Sequence, residues 1–270
     1  MGYLCLLVVC VVCLSQSPEA RAYLAHADSV PVVKVRDAMI LNARFGPEMA
    51  LSSSVFFRHL NEFAGVAASD LSAPVSYNAS IRLRYNTWSY GFDVGRFTAS
   101  AASSGVAPVY SNSMPPVLIG NRTSSQLLNV SATPVAFNVV YSPSATQFRE
   151  YLSFGAGIAF TKTKWTENIT SDFLGDDIAS GVRLNTSKGI PLARVGAGVE
   201  LCFDHYSNKT SGSILVELAY TFAPNALRPF ASLPPNDTRF AGVRDASVDF
   251  GMSSLRLLVG VQLSSVRTHE

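Results

Sequence analysis

The sequence predicts an all-β fold, an eight-stranded antiparallel up-and-down transmembrane β-barrel with short periplasmic turns and long extracellular loops. Apolar residues alternate with small or polar ones over stretches of about ten residues, the period of a strand with one apolar face. The gaps between these stretches alternate between long and short, which is typical of outer-membrane barrels. Charged residues make up only 15% of the chain, against roughly 25% in ordinary soluble domains.

The amino-terminal segment is predicted to direct export. Residues 4–14 form a continuous apolar run that is too short to span a bilayer, and Ala20-Arg21-Ala22 supplies the small-x-small pattern of a cleavage site. We therefore expect a signal peptide over 1–22 and a barrel domain over 23–270. A cut after Ala27 is an alternative, and Cys10 and Cys13 leave a lipoprotein signal as another.

Removal of this peptide leaves Cys202 as the only cysteine of the mature chain, which excludes an internal disulfide. The mature chain contains no H-E-x-x-H, C-x-x-C, P-loop or G-x-S-x-G pattern. We therefore expect no cofactor and no metal. The net charge of +2 gives no electrostatic reason to expect nucleic acid as a partner.

Eight strands are predicted from the alternation. In chain order they cover about 43–51, 75–85, 88–99, 126–141, 149–165, 190–205, 213–222 and 253–264. The pattern is interrupted at Arg96 and at Pro134, where we expect a bulge or, for Pro134, a later start of the strand. Between the first two strands, a short helix is predicted from Ser54 to Gly65, with Val55, His59, Leu60 and Phe63 along one side.

The connections between the strands assign the two ends of the barrel. The short gaps are 86–87, 142–149 and 206–212 and are predicted to be periplasmic. The long gaps are rich in Ser, Asn, Thr, Gly and Pro, and cover 52–74, 100–125, 166–189 and 223–252. Long loops of this kind are usually functional or disordered. We expect them to form the cell-exposed surface and to contact any extracellular ligand.

Alternation alone leaves two kinds of barrel open, because a secreted, soluble lipocalin-like binding barrel also alternates, with its apolar side chains turned inward. In this chain the polar set consists mostly of small residues such as Gly155, Gly157, Gly196 and Gly198. A water-facing surface usually carries many Lys and Glu, whereas a crowded lumen requires small side chains. The composition therefore favours the transmembrane barrel over the soluble one.

Five segments of the chain resemble a known family. They read PVAFNVVYSP, YLSFGAGIAF, PLARVGAGVEL, SILVELAYTF and SSLRLLVGVQL. These patterns resemble the small OmpA/OmpX-like, or opacity-type, outer-membrane β-barrel proteins, and the resemblance covers the chain from about Ala43 to Leu263. It implies the fold and the location, and it implies no catalytic activity.

Charged residues on the inward set are predicted to form an ionic network that fills the lumen. They are Arg82, Arg84, Asp93, Arg194, Glu200, Glu217 and Arg256. If the hairpin of the sixth and seventh strands is symmetric, Glu200 lies opposite Glu217, and an arginine is then expected between the two like charges. Arg256 is the expected partner. A glycosidase-like carboxylate pair, or a transient water path gated by exchange of Arg–Glu pairs, is a less favoured interpretation of these residues.

An enzymatic alternative rests on His205-Tyr206-Ser207-Asn208. This segment resembles the H-x-S-N element of outer-membrane lipid A deacylases, which are also eight-stranded barrels. The resemblance implies an esterase with Ser207 as nucleophile activated by His205, and with Glu217 as the orienting acid. The tetrapeptide falls in a predicted periplasmic turn, however, whereas the outer-leaflet lipid A lies at the opposite end of the barrel.

The sequence thus favours a non-catalytic protein of the bacterial outer membrane, with a structural or surface-interaction role of the adhesin or opacity type. The expected partners are outer-membrane lipid and lipopolysaccharide, the barrel-assembly machinery and an extracellular ligand held by the loops.

Overall fold

A computed structural model describes residues 37–50, 54–65, 75–143, 148–174, 178–203 and 210–267. The predicted signal peptide and its cysteines lie outside these residues, and its cleavage stays a prediction. Eight antiparallel strands close into one barrel, so the predicted all-β, up-and-down barrel of eight strands is confirmed. Each strand pairs with its sequence neighbour, and the last strand pairs with the first.

The barrel strands have unequal lengths. They are β1 (Asp37–Ala50), β2 (Val75–Tyr85), β3 (Trp88–Tyr110), β4 (Leu118–Tyr141), β5 (Phe148–Ser171), β6 (Gly181–Cys202), β7 (Thr210–Phe222) and β10 (Ser254–Arg267). Between β7 and β10, the two-residue strands β8 (Ala226–Leu227) and β9 (Val248–Asp249) pair with each other. One α-helix, α1 (Ser54–Ala64), and two 3₁₀ turns (Pro229–Ser232 and Ala241–Val243) complete the described elements.

The two ends of the barrel differ, and we name them by their connections. At the short-turn end lie the turn at 86–87, the end of β4 and the start of β5, the end of β6 and the start of β7, and the start of β1 beside the end of β10. The long-loop end carries α1, the tips of the β3–β4 and β5–β6 hairpins and the segment 223–253.

Nearest the short-turn end, the large apolar side chains cover the outer face of the barrel, the reverse of the arrangement in a soluble protein. On β5, for example, Leu152, Phe154, Ile158 and Phe160 point outward and are about half exposed. Together these outward side chains form the apolar belt. Its large members include Met39, Leu41, Phe45, Ile81, Leu83, Trp88, Tyr90, Phe92, Val94, Phe137, Val195, Leu201, Tyr220, Leu257, Val259 and Val261. Apart from a few aliphatic residues (Ile40, Val140, Leu215 and Leu258), the inward positions at this level are polar or small, which is the opposite of the arrangement in a lipocalin-like barrel.

Towards the long-loop end, the two faces of the sheet exchange character. On β3, the outward series changes from Phe92 and Val94 to Arg96, and continues with serine, threonine and alanine. The inward series changes in the opposite sense, since Phe97 and Ala99 are buried there. Strands β3 to β6 therefore have two zones. In the lower zone, at the level of the belt, the large apolar side chains point outward; in the upper zone, towards the long-loop end, apolar side chains are buried inside, as in a soluble protein.

The structure corrects the predicted lengths of the strands and loops. The supposed loops 100–125 and 166–189 are mostly strand, because β3 and β4 pair as far as Tyr110 and Leu118, and β5 and β6 pair as far as Glu167 and Gly181. The turns at their tips are short. Strand β1 begins at Asp37, six residues before the predicted start.

The predicted irregularities at Arg96 and Pro134 are also corrected. The β3–β4 register is the same on both sides of these residues, and Pro134 lies inside β4 rather than at its start. Arg96 is the first polar residue above the apolar belt. A change of environment, rather than a bulge, explains why the pattern breaks there.

The upper zone contains an apolar core that is completed by the loops. Helix α1 buries Phe56, Phe57, Leu60 and Ala64 inside the barrel mouth. The segment 223–253 adds buried aromatic and aliphatic side chains, among them Phe230, Leu233, Phe240, Phe250 and Met252. We call α1 and segment 223–253 the plug.

The predicted helix is confirmed, and its end at Gly65 fits the positive φ of 64° at that glycine. Its buried face is different from the predicted one. Val55 is exposed, and His59 and Phe63 are only half buried. None of the helices in the described parts of the chain is long and apolar enough to cross a membrane.

Candidate functional site

A ring of four charges occupies the lumen in the lower zone. Arg44 of β1 and Arg194 of β6 each bind both Asp93 of β3 and Glu217 of β7. Arg44 Nη2 lies 2.6 Å from Asp93 Oδ2, and Arg194 Nη2 lies 2.6 Å from Glu217 Oε1. Because two positive and two negative charges alternate, the ring is electrically balanced, as a buried cluster must be to avoid a large desolvation cost.

Neutral groups complete the surroundings of Glu217, which is fully buried. The Tyr151 hydroxyl donates to its Oε2 at 3.1 Å and the Ser153 hydroxyl to its Oε1 at 3.0 Å. Gly196 makes room for this arrangement, since a Cβ atom there would lie 2.6 Å from Glu217 Oε1. At this inward position a small residue is therefore required by the ionic side chain that it faces.

The structure corrects the predicted pairing of Glu200 with Glu217. Glu217 lies opposite Gly198, and Glu200 lies opposite Leu215. Arg256 does not bridge the two carboxylates. Its Nη2 lies 2.9 Å from Glu48 Oε1, across the β1–β10 pair.

The other predicted lumen residues lie near the short-turn end. Arg82 Nη2 donates to Gln262 Oε1 at 2.8 Å, and Gln262 Nε2 donates to Glu200 Oε1 at 2.6 Å. Arg84 is only half buried at the rim and donates to the Asn86 carbonyl at 3.0 Å. The gap lined by Arg44, Arg82 and Asp93 has no room for a water molecule.

Sequence reasoning missed Arg44 and Glu48. Both lie on the inward face of β1, two and four two-residue repeats beyond Ile40, and both are buried. The signal was present, because Met39, Leu41 and Phe45 alternate with them on the outward face. It was overlooked because the strand predicted over 43–51 left out Met39 and Leu41, so too few outward apolar residues remained to show the alternation.

A second ionic cluster lies in the upper zone and joins the plug to the barrel wall. Arg239 donates from Nη1 and Nη2 to the two carboxylate oxygens of Glu167, at 2.7 and 2.8 Å, and also binds Asp237 at 2.7 Å. Arg183 of β6 lies 2.9 Å from Glu167. Gln126 and Ser124 of β4 donate to the same carboxylate.

These contacts shift the pKa of Glu167 downward. Burial alone would raise it, but the hydrogen bonds and the charge of Arg239, together with hydrogen bonds from Gln126 and Ser124, outweigh burial and lower the pKa from 4.5 to about 2. The same contacts raise the pKa of Arg239, again against the effect of burial. Glu167 lies beyond the outward Lys162 and Lys164 on β5, and therefore above the apolar belt.

The residues of the esterase alternative are not brought together in the described part of the chain. His205 and Ser207 lie outside the described residues. Glu217 lies seven residues into β7, about 23 Å along the strand from its first residue, Thr210. Its carboxylate is occupied by Arg44 and Arg194. These contacts give no support to the orienting role predicted for Glu217, and with His205 and Ser207 outside the described residues the esterase alternative stays a prediction.

The described residues contain no group of three or more His, Cys, Asp or Glu side chains that could hold a metal ion. Cys202 is a buried free thiol that lies 3.5 Å from a Glu200 oxygen.

The outer surface of the long-loop end is most apolar at the tip of the β3–β4 hairpin. Tyr110, Met114, Val117 and Leu118 are all more than half exposed there. The segment 97–121 contains no charged residue. By contrast, the plug segment 223–253 buries most of its large side chains, so the prediction that all four long connections form exposed surface is corrected for this one.

No protein-family model and no curated protein matches the sequence. Among solved structures, the chain is similar to Neisserial surface protein A, with 9% identity, a TM-score of 0.35 and coverage of 86% of this chain and 97% of that one. It is also similar to the N-terminal β-barrel domain of Pseudomonas aeruginosa OprF, with 12% identity, a TM-score of 0.33 and coverage of 84% and 96%. A third is Ail, the attachment invasion locus protein of Yersinia pestis, solved with the heparin analogue sucrose octasulfate, with 10% identity, a TM-score of 0.33 and coverage of 86% and 99%. At such low similarity, the function is inferred from the residues of this chain.

Proposed function

We propose that this chain is an integral protein of the bacterial outer membrane, non-catalytic, whose long-loop end projects from the cell and serves in surface interaction. The observation that carries the proposal is the exchange of polarity between the two faces of the wall. Within the belt most large apolar side chains point outward, whereas above it large apolar side chains such as Phe97, Leu128 and Trp165 point inward. In water, outward apolar side chains would be unfavourable at every level of the barrel. If the wall passes from lipid into water, outward apolar side chains are favourable in the lipid and inward ones in the water.

The dimensions of the belt support this proposal. On β5 it extends from Leu152 to Phe160, and on β10 from Leu255 to Leu263, nine residues in each case. A tilted strand needs about 9–11 residues to cross the hydrocarbon core. Trp88 and Tyr141, whose ring centroids are 4.7 Å apart, lie at the short-turn margin of the belt. Aromatic residues in that position are typical of the membrane interface.

The balanced charge ring supports a structural role for the lumen rather than transport. Its members bind one another across the barrel, and an eight-stranded interior is only wide enough for side chains. For surface interaction, the apolar tip of the β3–β4 hairpin is the most exposed candidate. The partner bound by this tip is an extracellular ligand, in accordance with the adhesin-like role expected from the sequence.

Orientation and location are tested together by cysteine labelling. In a Cys202→Ser background, the variants Met114→Cys and Leu174→Cys place single thiols at the two hairpin tips, and Thr87→Cys places one at the short-turn end. We expect a membrane-impermeant maleimide to label the two tip variants in intact cells, and Thr87→Cys only after the outer membrane is permeabilised. Labelling of Thr87→Cys in intact cells, or recovery of the folded mature chain without detergent, would contradict the proposal.

A further inference from the structure

Just above the apolar belt, strands β3 to β6 present a basic surface that is rich in hydroxyl and amide groups. Arg96, Lys162 and Lys164 all point outward and are exposed. Arg96 follows Val94, and Lys162 follows Phe160, as the next outward residue after the belt on its strand. On the proposed orientation, these side chains lie at the level of the headgroups of the outer leaflet.

The two lysines are surrounded by small polar residues that the pairing of strands fixes in two rows. The first row crosses the sheet as Thr98, Ser131, Lys162 and Ser187. Adjacent strands lie about 4.8 Å apart, so four residues in a row span about 14 Å.

The second row lies about 7 Å farther from the belt. It crosses the sheet as Ser100, Asn129, Lys164 and Asn185. Each lysine is thus flanked on β4 and on β6 by a hydroxyl or an amide. We call the two rows the outer polar patch.

The charge of the outer polar patch is not compensated by the protein. Neither Lys162 nor Lys164 forms an ion pair with any residue that the structure describes. On the described outward positions of β3 to β6 above the belt, no aspartate or glutamate occurs, and the nearby carboxylate of Glu167 points inward and is buried. The patch therefore presents a net positive charge to its surroundings.

The position and the chemistry of the outer polar patch together indicate what it binds. Resting on the proposed membrane location, we infer that the outer polar patch binds the phosphorylated sugars of lipopolysaccharide in the leaflet around the barrel. The lysine ammonium groups bind the phosphates, and the hydroxyl and amide groups form hydrogen bonds with the sugar hydroxyls. A surface about 14 Å wide and two rows deep matches a disaccharide that carries phosphate, rather than a single phosphate ion.

The test compares two charge-matched double variants of the full mature chain, each purified in detergent and checked for heat-modifiable migration on gels. Lys162→Gln/Lys164→Gln removes the charge of the patch. Arg58→Gln/Arg228→Gln removes two exposed charges from the plug and is the control. Binding of purified lipopolysaccharide is measured by a fluorescence titration at low and at physiological salt.

We expect the patch variant to bind lipopolysaccharide about thirtyfold more weakly than wild type, about fivefold for each lysine, and the control to bind like wild type. The difference should shrink when salt is added, because exposed charges are screened. Dephosphorylated lipopolysaccharide should bind wild type and the patch variant equally. An unchanged affinity in the patch variant, or an equal loss in the control, would overturn the inference.

Phosphatidylglycerol vesicles are the second probe. An equally large effect of the two lysines on these vesicles would assign the patch to anionic phospholipid and would overturn the assignment to lipopolysaccharide. The membrane proposal is judged separately by the detergent requirement and by heat-modifiable migration. A variant that stays membrane-integrated while its lipopolysaccharide affinity is unchanged contradicts only the patch.

Discussion

Arg239, in the segment between β7 and β10, binds both carboxylate oxygens of Glu167 on β5, at 2.7 and 2.8 Å. This bidentate pair connects the plug to the barrel wall above the apolar belt. Such pairs have a fixed geometry and are stronger than single hydrogen bonds. Glu167 is fully buried, so its charge depends on the arginines that contact it. The pair therefore holds the plug in the mouth of the barrel.

Replacing Arg239 with glutamine is expected to destabilise the docked plug by about 3 kcal/mol, because it leaves the buried Glu167 with one arginine fewer. Arg228→Gln, on an exposed residue of the same segment, is the control and should have little effect. The measurement is the fluorescence of Trp165, which is fully buried against the plug. In a Trp88→Phe background it is the only tryptophan, and its emission should shift to the red in Arg239→Gln. Equal spectra in the variant and the control would contradict a role for the pair.

The low pKa of Glu167 predicts how the plug responds to acid. Because the folded pKa lies below the unfolded value, the contribution to stability is fully present above about pH 4.5 and is lost as the pH falls towards 2. The shift corresponds to at most roughly 3 kcal/mol. Glu167→Gln should be less stable near neutral pH and should show a much smaller change between pH 5 and pH 2. The same Trp165 emission, followed in a pH titration, checks this.

The sequence correctly predicted which side chains of each strand point outward within the belt. The alternation of apolar with small or polar residues is visible within a short segment, so no knowledge of distant contacts is needed. The lengths of β3 to β6 were missed for a physical reason. Above the belt, β3 reads Thr-Ala-Ser-Ala-Ala-Ser-Ser-Gly over residues 98–105, with small residues on both faces. Because the side chains on the two faces do not differ in polarity there, the sequence shows no alternation, although the backbone hydrogen bonds between β3 and β4 continue.

The ionic partners were harder to predict than the strands. Glu200 was placed opposite Glu217 because the alternation that continues through Phe203 put the turn at 206–212, whereas β6 ends at Cys202 and β7 begins at Thr210. That displacement changes the register by two residues. The pair of Arg239 with Glu167 joins residues 72 positions apart. It depends on how segment 223–253 folds back into the mouth, for which no periodic pattern exists.

The packing of aromatic rings in the core of the plug is a second contribution to the stability of the docked plug. Phe240 is stacked on Phe230, with ring centroids 4.7 Å apart, and meets the edge of Trp165 at 6.2 Å. Phe240→Ala should cost about 3–5 kcal/mol, because it removes a fully buried ring. Leu174→Ala truncates a fully exposed side chain and should change stability by less than about 0.5 kcal/mol. Limited proteolysis within 223–253 measures both, and faster cleavage is expected only in Phe240→Ala.

The charge ring is expected to stabilise the lower zone only while it is balanced. Glu217→Gln removes one negative charge and leaves Arg44 and Arg194 sharing Asp93, which should cost about 3–5 kcal/mol. The barrel should then lose its folded migration on gels at a lower temperature than wild type. Glu150→Gln, on an exposed residue near the short-turn end, serves as the control. A Glu217→Gln barrel as heat-resistant as this control would show that the ring contributes nothing.

The apolar belt makes the sharpest prediction about depth in the membrane. Phe92 lies within the belt on β3 and Ser104 lies on the same outward face, twelve residues farther along the strand. Phe92→Arg places a charge in the hydrocarbon region and should cost about 2–4 kcal/mol, whereas Ser104→Arg places it in water and should cost close to nothing. Urea unfolding of the barrel in lipid vesicles measures both free energies. Equal costs at the two positions would mean that the outward face does not pass from lipid to water between Phe92 and Ser104, and the position assigned to the belt would then be wrong.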